Sequence, residues 1–320
     1  MKSPASAVRR TSPRPKASAA APQAAAPSGK IHPVVIYPFR PGSDFADLRE
    51  LYALISRLNA APDRFARPVT VIDRKTHFAA QGNPAYRDFR TEVVSQHSDV
   101  LDVWGVDTCQ MWYSGLGHAW ERGGRDDVYW LIPGDFNYAS PAGRAVLGRL
   151  HDLPEICTEL RQDLCIGEIA THAGHSKQLI DTYGTFALLY NWFPAAAAQI
   201  REYTERPRSE FFAVRHDFLG EILTQRWYPY EQTVVMLLKA VAARKRISRY
   251  YVGEITDLPE GRDSFASALQ QIERTERVLK TLWRDQHQTA AGWTERYRQL
   301  ANHSEQIRQG ALTVLQHLLG

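Results

Sequence analysis

Two apolar, β-prone runs joined by a helix-patterned segment constrain this chain more than any other feature. His32-Pro-Val-Val-Ile-Tyr37 reads as a buried strand, Pro38 to Gly42 as the loop after it, and Val69-Thr-Val-Ile72 as the next strand. Between them Phe45, Leu48, Leu51, Tyr52, Ile55 and Leu58 recur at helical spacing, so Asp44 to Leu58 is expected to be an amphipathic helix with Ser43 or Asp44 as N-cap. Strand, helix and strand in that order make a βαβ unit, which implies parallel strands in a sheet covered by helices on both faces. Ligands of such sheets collect at the carboxyl ends of the strands.

A third run, Val128 to Ile132, comes after a helix expected from about Asp107 to Glu121 and stops at the tripeptide Asp135-Phe-Asn137. Arg40, Asp73 and Asp135 each follow the carboxyl end of an expected strand, so they should converge on one crevice although they are far apart in the chain. A strand that delivers a carboxylate and a second oxygen donor suits a hard cation such as Mg²⁺ or Mn²⁺, which takes oxygen ligands and shares them with phosphates. Taken alone, Gly134-Asp135 after a strand is also an ordinary turn.

Composition narrows the classes. Hydrophobic content of 44% and charged content of 23% are those of a globular protein, and no apolar run is long enough to span a membrane as a helix. Cys109, Cys157 and Cys165 form no C-x-x-C pair, which argues against a disulfide framework or a structural zinc and fits a reducing, cytoplasmic setting. The net charge of +4 is concentrated at the start, where Lys2, Arg9, Arg10, Arg14, Lys16 and Lys30 meet no acid. Without that segment the chain is near neutral, so no nucleic-acid partner is expected. Residues 1–29, rich in Ala, Pro and Ser, are expected to be a disordered tail, because they cannot bury enough apolar surface to offset ordering entropy.

Further along, helices are expected over Ala142 to Leu150, Ala195 to Tyr203 and from Pro229 to Ala243, and a helix or a loop followed by a helix over Ser176 to Tyr190. Cys165 to Ala170, Glu210 to Val214 and Ser248 to Ile255 have strand character. Ser264 to Leu319 is helical with a break near Ala290 to Gly292. Its apolar residues at helical spacing suit packing on the preceding domain or a homodimer seam, and interspersed acids weaken the case for peripheral membrane contact. In Thr171-His-Ala-Gly-His-Ser176 the central glycine argues for a loop rather than a zinc site; with Lys177 it could contact a phosphate. Trp227, Tyr228 and Tyr230 could wall a ligand site, although aromatics are more often core. No phosphate-cradling P-loop motif is present.

The order of these features resembles the GT-A glycosyltransferases, in particular the family 2 type that uses nucleotide-sugar donors. The resemblance covers about residues 30 to 255 and rests on Val34-Val-Ile-Tyr-Pro-Phe-Arg40, Val71-Ile-Asp73, Gly117 to Asn137, the aromatic-x-x-Arg segment around Phe212 to Arg215, and Glu231-Gln232 opening a helix. It implies an α/β, Rossmann-like central sheet with helices on both faces, a catalytic domain over 30–255 and a helical C-terminal extension over 256–320. It further implies metal-dependent, inverting transfer of a sugar from a nucleotide-diphosphate sugar to an acceptor hydroxyl. In that scheme Asp73 contacts the nucleoside, Asp135 and Asn137 hold Mg²⁺ or Mn²⁺ with the diphosphate, and Arg40, Arg215 and Lys177 contact the donor. Glu231 is the base, with Asp217 next in line.

The chain departs from the family at Asn137 and Gln232, amides where acids are expected. Those departures keep open a binding or scaffolding protein on the same fold. A sugar-phosphate nucleotidyltransferase is the other alternative, but the Pro38 to Ser43 loop has only one Arg and one Gly. Glu231 could also serve merely to complement its helix end.

Overall fold

In a computed structural model of the chain, the described residues are 29–36, 45–73, 77–78, 81–103, 108–170, 180–224, 231–254 and 265–319. The tail through residue 28, the loop with Arg40, the loop with His172, His175 and Lys177, and Trp227, Tyr228 and Tyr230 lie outside them.

The chain begins as the periodicity predicts, with β1 (Ile31–Ile36), α1 (Ala46–Asn59) and β2 (Val69–Asp73). Next comes a helix, α2, running through Pro84–Phe89, a π-helical turn at Arg90–Val94, and Ser95–His97. It leads into β3 (Asp99–Val103). The middle of the chain supplies α3 (Thr108–Trp120), β4 (Val128–Pro133), α4 (Pro141–Leu150), α5 (Asp152–Glu159) and β5 (Leu164–Ala170). Helix α6 is π-helical over Ile180–Phe186 and α-helical over Ala187–Trp192, and α7 spans Pro194–Tyr203. The rest is β6 (Phe212–Arg215), α8 (His216–Leu223), α9 (Gln232–Ala242), β7 (Ile247–Glu254), α10 (Phe265–His287) and α11 (Trp293–Leu319).

Seven strands form one sheet in the order β3-β2-β1-β4-β6-β5-β7. Strands β1 to β4 are mutually parallel, β5 is parallel to β7, and β6 is antiparallel to both of its neighbours. The period of two in β1 sends Val34 and Ile36 into one apolar layer and Ile31 and Val35 into the other. Helices α1, α2, α4 and α5 cover one face, while α3, α6 to α9 and both C-terminal helices contribute to the other. Close packing fixes α3 on the sheet at Gly115: a Cβ there would lie 2.6 Å from Val71 Cγ2 and 2.7 Å from Val34 Cγ1.

The C-terminal helices share their apolar layer with the sheet. Ala268, Ile272, Leu279, Leu300, Ala311 and Leu315 are buried in the cluster that contains Leu131 and Phe212. Part of the apolar stripe is thus covered within the chain, while Phe265, Trp293, Tyr297 and Ile307 are only partly buried. Among the described residues no helix is long and apolar enough to cross a membrane. Cys157 and Cys165 are buried and unpaired.

Candidate active site at the carboxyl edge of the sheet

Register brings the two expected carboxylates together. Val71 is paired with Ile36 and Ile36 with Pro133, so Asp73 and Asp135 each lie two residues beyond the same row of the sheet. Their strands flank β1, which places them roughly 10 Å apart at ordinary strand spacing. The chain turns directly after β4, where Gly134 N–H donates to Ile36 O at 2.6 Å.

The loop after β4 is locked in place. Tyr138 donates its hydroxyl hydrogen to Pro133 O at 2.6 Å, and Phe136 packs on Phe211 with ring centroids 4.9 Å apart. Asn137 Oδ1 accepts from Ser140 N–H at 3.2 Å, and Ser140 Oγ caps α4 by accepting from Gly143 N–H at 2.9 Å. Asn137 therefore keeps one side-chain lone pair for a cation beside Asp135. No group of three or more His, Cys, Asp or Glu that could hold a metal occurs among the described residues. The donor set fits a hard dication whose remaining ligands are diphosphate oxygens and water.

The antiparallel course of β6 separates the other expected residues. Arg215 pairs in register with Val128, at the amino end of β4, and its guanidinium lies 3.7 Å from Asp126 Oδ1. Asp217 follows two residues later, in α8, and pairs with Arg125 at 3.3 Å. Both are at the edge opposite Asp135, because reversing the strand reverses which end meets the crevice. The structure therefore does not bring Arg215, expected as a donor contact, or Asp217, expected as a reserve base, to the edge that carries Asp135.

The same reversal brings the segment before β6 to the carboxyl edge, and with it Arg208. Its Nη1 donates to Gln271 Oε1 of α10 at 2.5 Å and lies 3.8 Å from Glu231 Oε1. Side-chain exposure is only 15% for Arg208 and 8% for Glu231, so this is a largely desolvated pair. Glu231 is the residue before α9 rather than within its first turn, and it makes no side-chain cap. Gln232 is buried and donates from Nε2 to Tyr113 Oη at 3.0 Å, while Tyr113 donates to Ile222 O at 3.3 Å.

Backbone strain gathers at this edge. Four non-glycine residues among those described have positive φ. Arg161 and Arg244 terminate helices: the N–H groups of Gln162 and Lys245 bond to the carbonyls of Cys157 and Ala240, the usual use of a left-handed residue. Phe45 (φ 64°) and Glu231 (φ 55°) instead stand at helix beginnings, where an extended residue is the rule, and the left-handed conformation costs about 1–2 kcal/mol. Phe45 is the observed N-cap of α1; the expected Ser43 and Asp44 lie outside the described residues.

Near Asp73 stands a second arginine that sequence reasoning does not single out. Arg90, in the π-helical turn of α2, donates to Asp102 Oδ2 at 2.6 Å and lies 3.1 Å from His77 Nδ1. Burial pushes the Tyr86 phenol up against the opposing pull of Arg90. π-Turns recur at functional sites. The only sequence signal is Asn83-Pro84, a cap followed by proline at the first helical position.

No protein-family model matches this chain, and no curated protein matches its sequence. Solved structures do. Glucosyl-3-phosphoglycerate synthase from Mycobacterium tuberculosis, in complex with Mn²⁺, UDP and phosphoglyceric acid, superposes with a TM-score of 0.52 over 78% of each chain at 12% identity. The same enzyme with Mn²⁺, UDP and glucosyl-3-phosphoglycerate gives 0.51 at 13% identity over 79% of this chain and 78% of that one. A further mycobacterial protein gives 0.52 at 12% identity, over 79% of this chain and 73% of its own. At such identity the likeness establishes the fold, and the fold is that of the GT-A nucleotide-sugar glycosyltransferases.

Proposed function

We propose that this protein transfers a sugar from a nucleotide-diphosphate sugar to an acceptor hydroxyl, with a divalent cation and inversion at the anomeric carbon. The observation that carries this reading is the placement of Asp73 and Asp135 two residues beyond one row of the sheet, with Glu231 on the same edge. Asp73 would contact the nucleoside, and Asp135 with Asn137 would hold the cation. When bound, the cation supplies neutralisation of the charge that develops on the departing diphosphate.

In the transfer, the bond from the anomeric carbon to the diphosphate oxygen breaks as the acceptor oxygen bonds to that carbon. The acceptor's proton goes to Glu231. Gln232 is an amide held by Tyr113 and provides no base, so the carboxylate role rests on Glu231. Some of the solved neighbours contain UDP or UDP-glucose with Mn²⁺, which makes these the first probes. Catalytic activity within 30–255, supported by the helices of 256–320, and a cytoplasmic setting complete the proposal.

Titration of UDP-glucose and UDP by calorimetry, with and without Mn²⁺, tests it. Metal-dependent binding is expected in the native chain and should vanish in Asp135→Ala with the melting transition nearly unchanged, since a loop carboxylate contributes little to packing. Retention of Mn²⁺-dependent binding in that variant would remove Asp135 from the site.

A further inference from the structure

The C-terminal helices reach toward the crevice through a contact chain: Gln271 of α10 accepts from Arg208, and Arg208 faces Glu231. Both ends of this chain are fixed by packing. Ile272, adjacent to Gln271, is fully buried against Gly184 of α6, where a Cβ would lie 2.8 Å from Ile272 Cγ1. Only a glycine lets α10 settle at that height, and that height sets where Gln271 stands.

The segment carrying Arg208 is tied to β5 on both sides of it. Ser209 Oγ donates to Gly167 O at 2.9 Å, and Arg206 Nη1 donates to Ile169 O at 3.2 Å. Burial pushes the Glu168 carboxyl above the ordinary range, against the opposing pull of Thr204, the Glu205 backbone and Arg206. With the backbone held, the direction of the guanidinium is set by its side-chain partners. Gln271 supplies a neutral oxygen to the same nitrogen that faces Glu231, which orients the planar fork without competing for its charge.

We propose that Gln271 and Arg208 are positioning residues that hold the Glu231 carboxylate in its working orientation, so that the C-terminal helical hairpin is a functional part of the site. As a role in catalysis this rests on the glycosyl-transfer reading; as a physical relay it does not. A carboxylate as little exposed as that of Glu231 requires a cation beside it, and a guanidinium that drifts would leave the carboxylate to reorient toward water. A base displaced by about 1 Å can lose on the order of a hundredfold in rate.

The test uses the full chain labelled with ¹³C at glutamate δ-carbons, with Glu231→Gln identifying the Glu231 resonance. Gln271→Met keeps the stem and removes the acceptor; it should displace that resonance, and should displace it no further when Arg208 is already Met. An unmoved resonance, or an equal displacement in both backgrounds, would overturn the relay. Gln271→Ala replaces the Met variant if that one melts abnormally. With UDP-glucose and Mn²⁺ as the probe, Gln271→Met should lower kcat roughly ten- to a hundredfold with KM nearly unchanged. If native protein turns over no UDP-sugar, the glycosyl-transfer reading falls, while the spectrum still decides the relay.

Discussion

The two edges of the central sheet handle buried polar groups in opposite ways. At the amino edge Asp127 accepts from Lys30 N–H at 2.8 Å, from Gly124 N–H at 2.7 Å and pairs with His32 Nε2 at 2.8 Å. His32 stacks on Tyr129 with centroids 4.9 Å apart, Tyr129 Oη lies 2.8 Å from His216 Nδ1, and His216 stacks on Trp120. This cluster closes on itself. At the carboxyl edge, carboxylates stand at neighbouring strand ends, two helices start from left-handed residues, and a desolvated Arg208–Glu231 pair bridges separate segments. A polar cluster whose hydrogen bonds are mutually matched stabilises a fold, whereas strain and concentrated charge at strand ends are what a ligand site retains.

If that contrast is right, substitutions at the two edges should damage different properties. The largest effect is expected at the carboxyl edge: Glu231→Gln should reduce turnover of a UDP-sugar by about two to four orders of magnitude with donor affinity unchanged. Steady-state transfer measured beside a donor titration checks this, and retained turnover would move the base elsewhere. Loss of donor binding together with turnover would instead make Glu231 a donor-site residue.

At the amino edge Asp127→Ala should cost about 1–3 kcal/mol of stability, because a partly buried His32 donor loses its acceptor. Urea unfolding reads the loss, and UDP binding should stay as it was; a binding defect would blur the division between the edges. A smaller effect comes from pH. Burial holds His32 below 6.5 despite the pull of Asp127, so the unfolded chain takes up a proton first and stability falls as pH drops below about 6.5. Asp127 is held below 3.8 because the Gly124 and Lys30 N–H groups and His32 outweigh its burial, and its contribution is lost at still lower pH.

Between pH 7 and 5.5, His32→Gln should flatten the stability curve. Identical slopes in the two proteins would show that His32 is not the group responsible. The smallest change is expected from Asp217→Ala, whose ion pair is 61% and 84% exposed on its two sides. It should alter stability by less than about 0.5 kcal/mol and leave turnover intact. A marked loss of turnover would return Asp217 to the site.

Much of the fold is legible in the sequence because buried strands and amphipathic helices write their period locally. The runs His32 to Tyr37, Val69 to Ile72 and Val128 to Ile132 stand out since every β1 and β4 residue is buried and β2 nearly so. Strand β3 does not, because Asp99 and Asp102 interrupt a half-buried edge strand that lacks a continuous apolar run. Arg208 escapes notice for a related reason. Arg206-Pro-Arg208 reads as an exposed loop, and only the tertiary contacts with Gln271 and Glu231 leave the second arginine largely covered.

By itself, then, the sequence determined where strands and helices occur and which residues end β2 and β4, since burial periodicity and turn chemistry act over a few neighbours. The aromatic-x-x-Arg motif shows the limit: Phe212 to Arg215 is correctly placed near a strand, but its direction is a property of the pairing with β4 and β5. Only the tertiary structure decided that β6 runs backwards, exchanging Arg215 and Asp217 at one edge for Arg208 at the other. Side-chain alternation is the same in either direction, so local patterning is blind to it; hydrogen bonding to strands distant in the chain chooses.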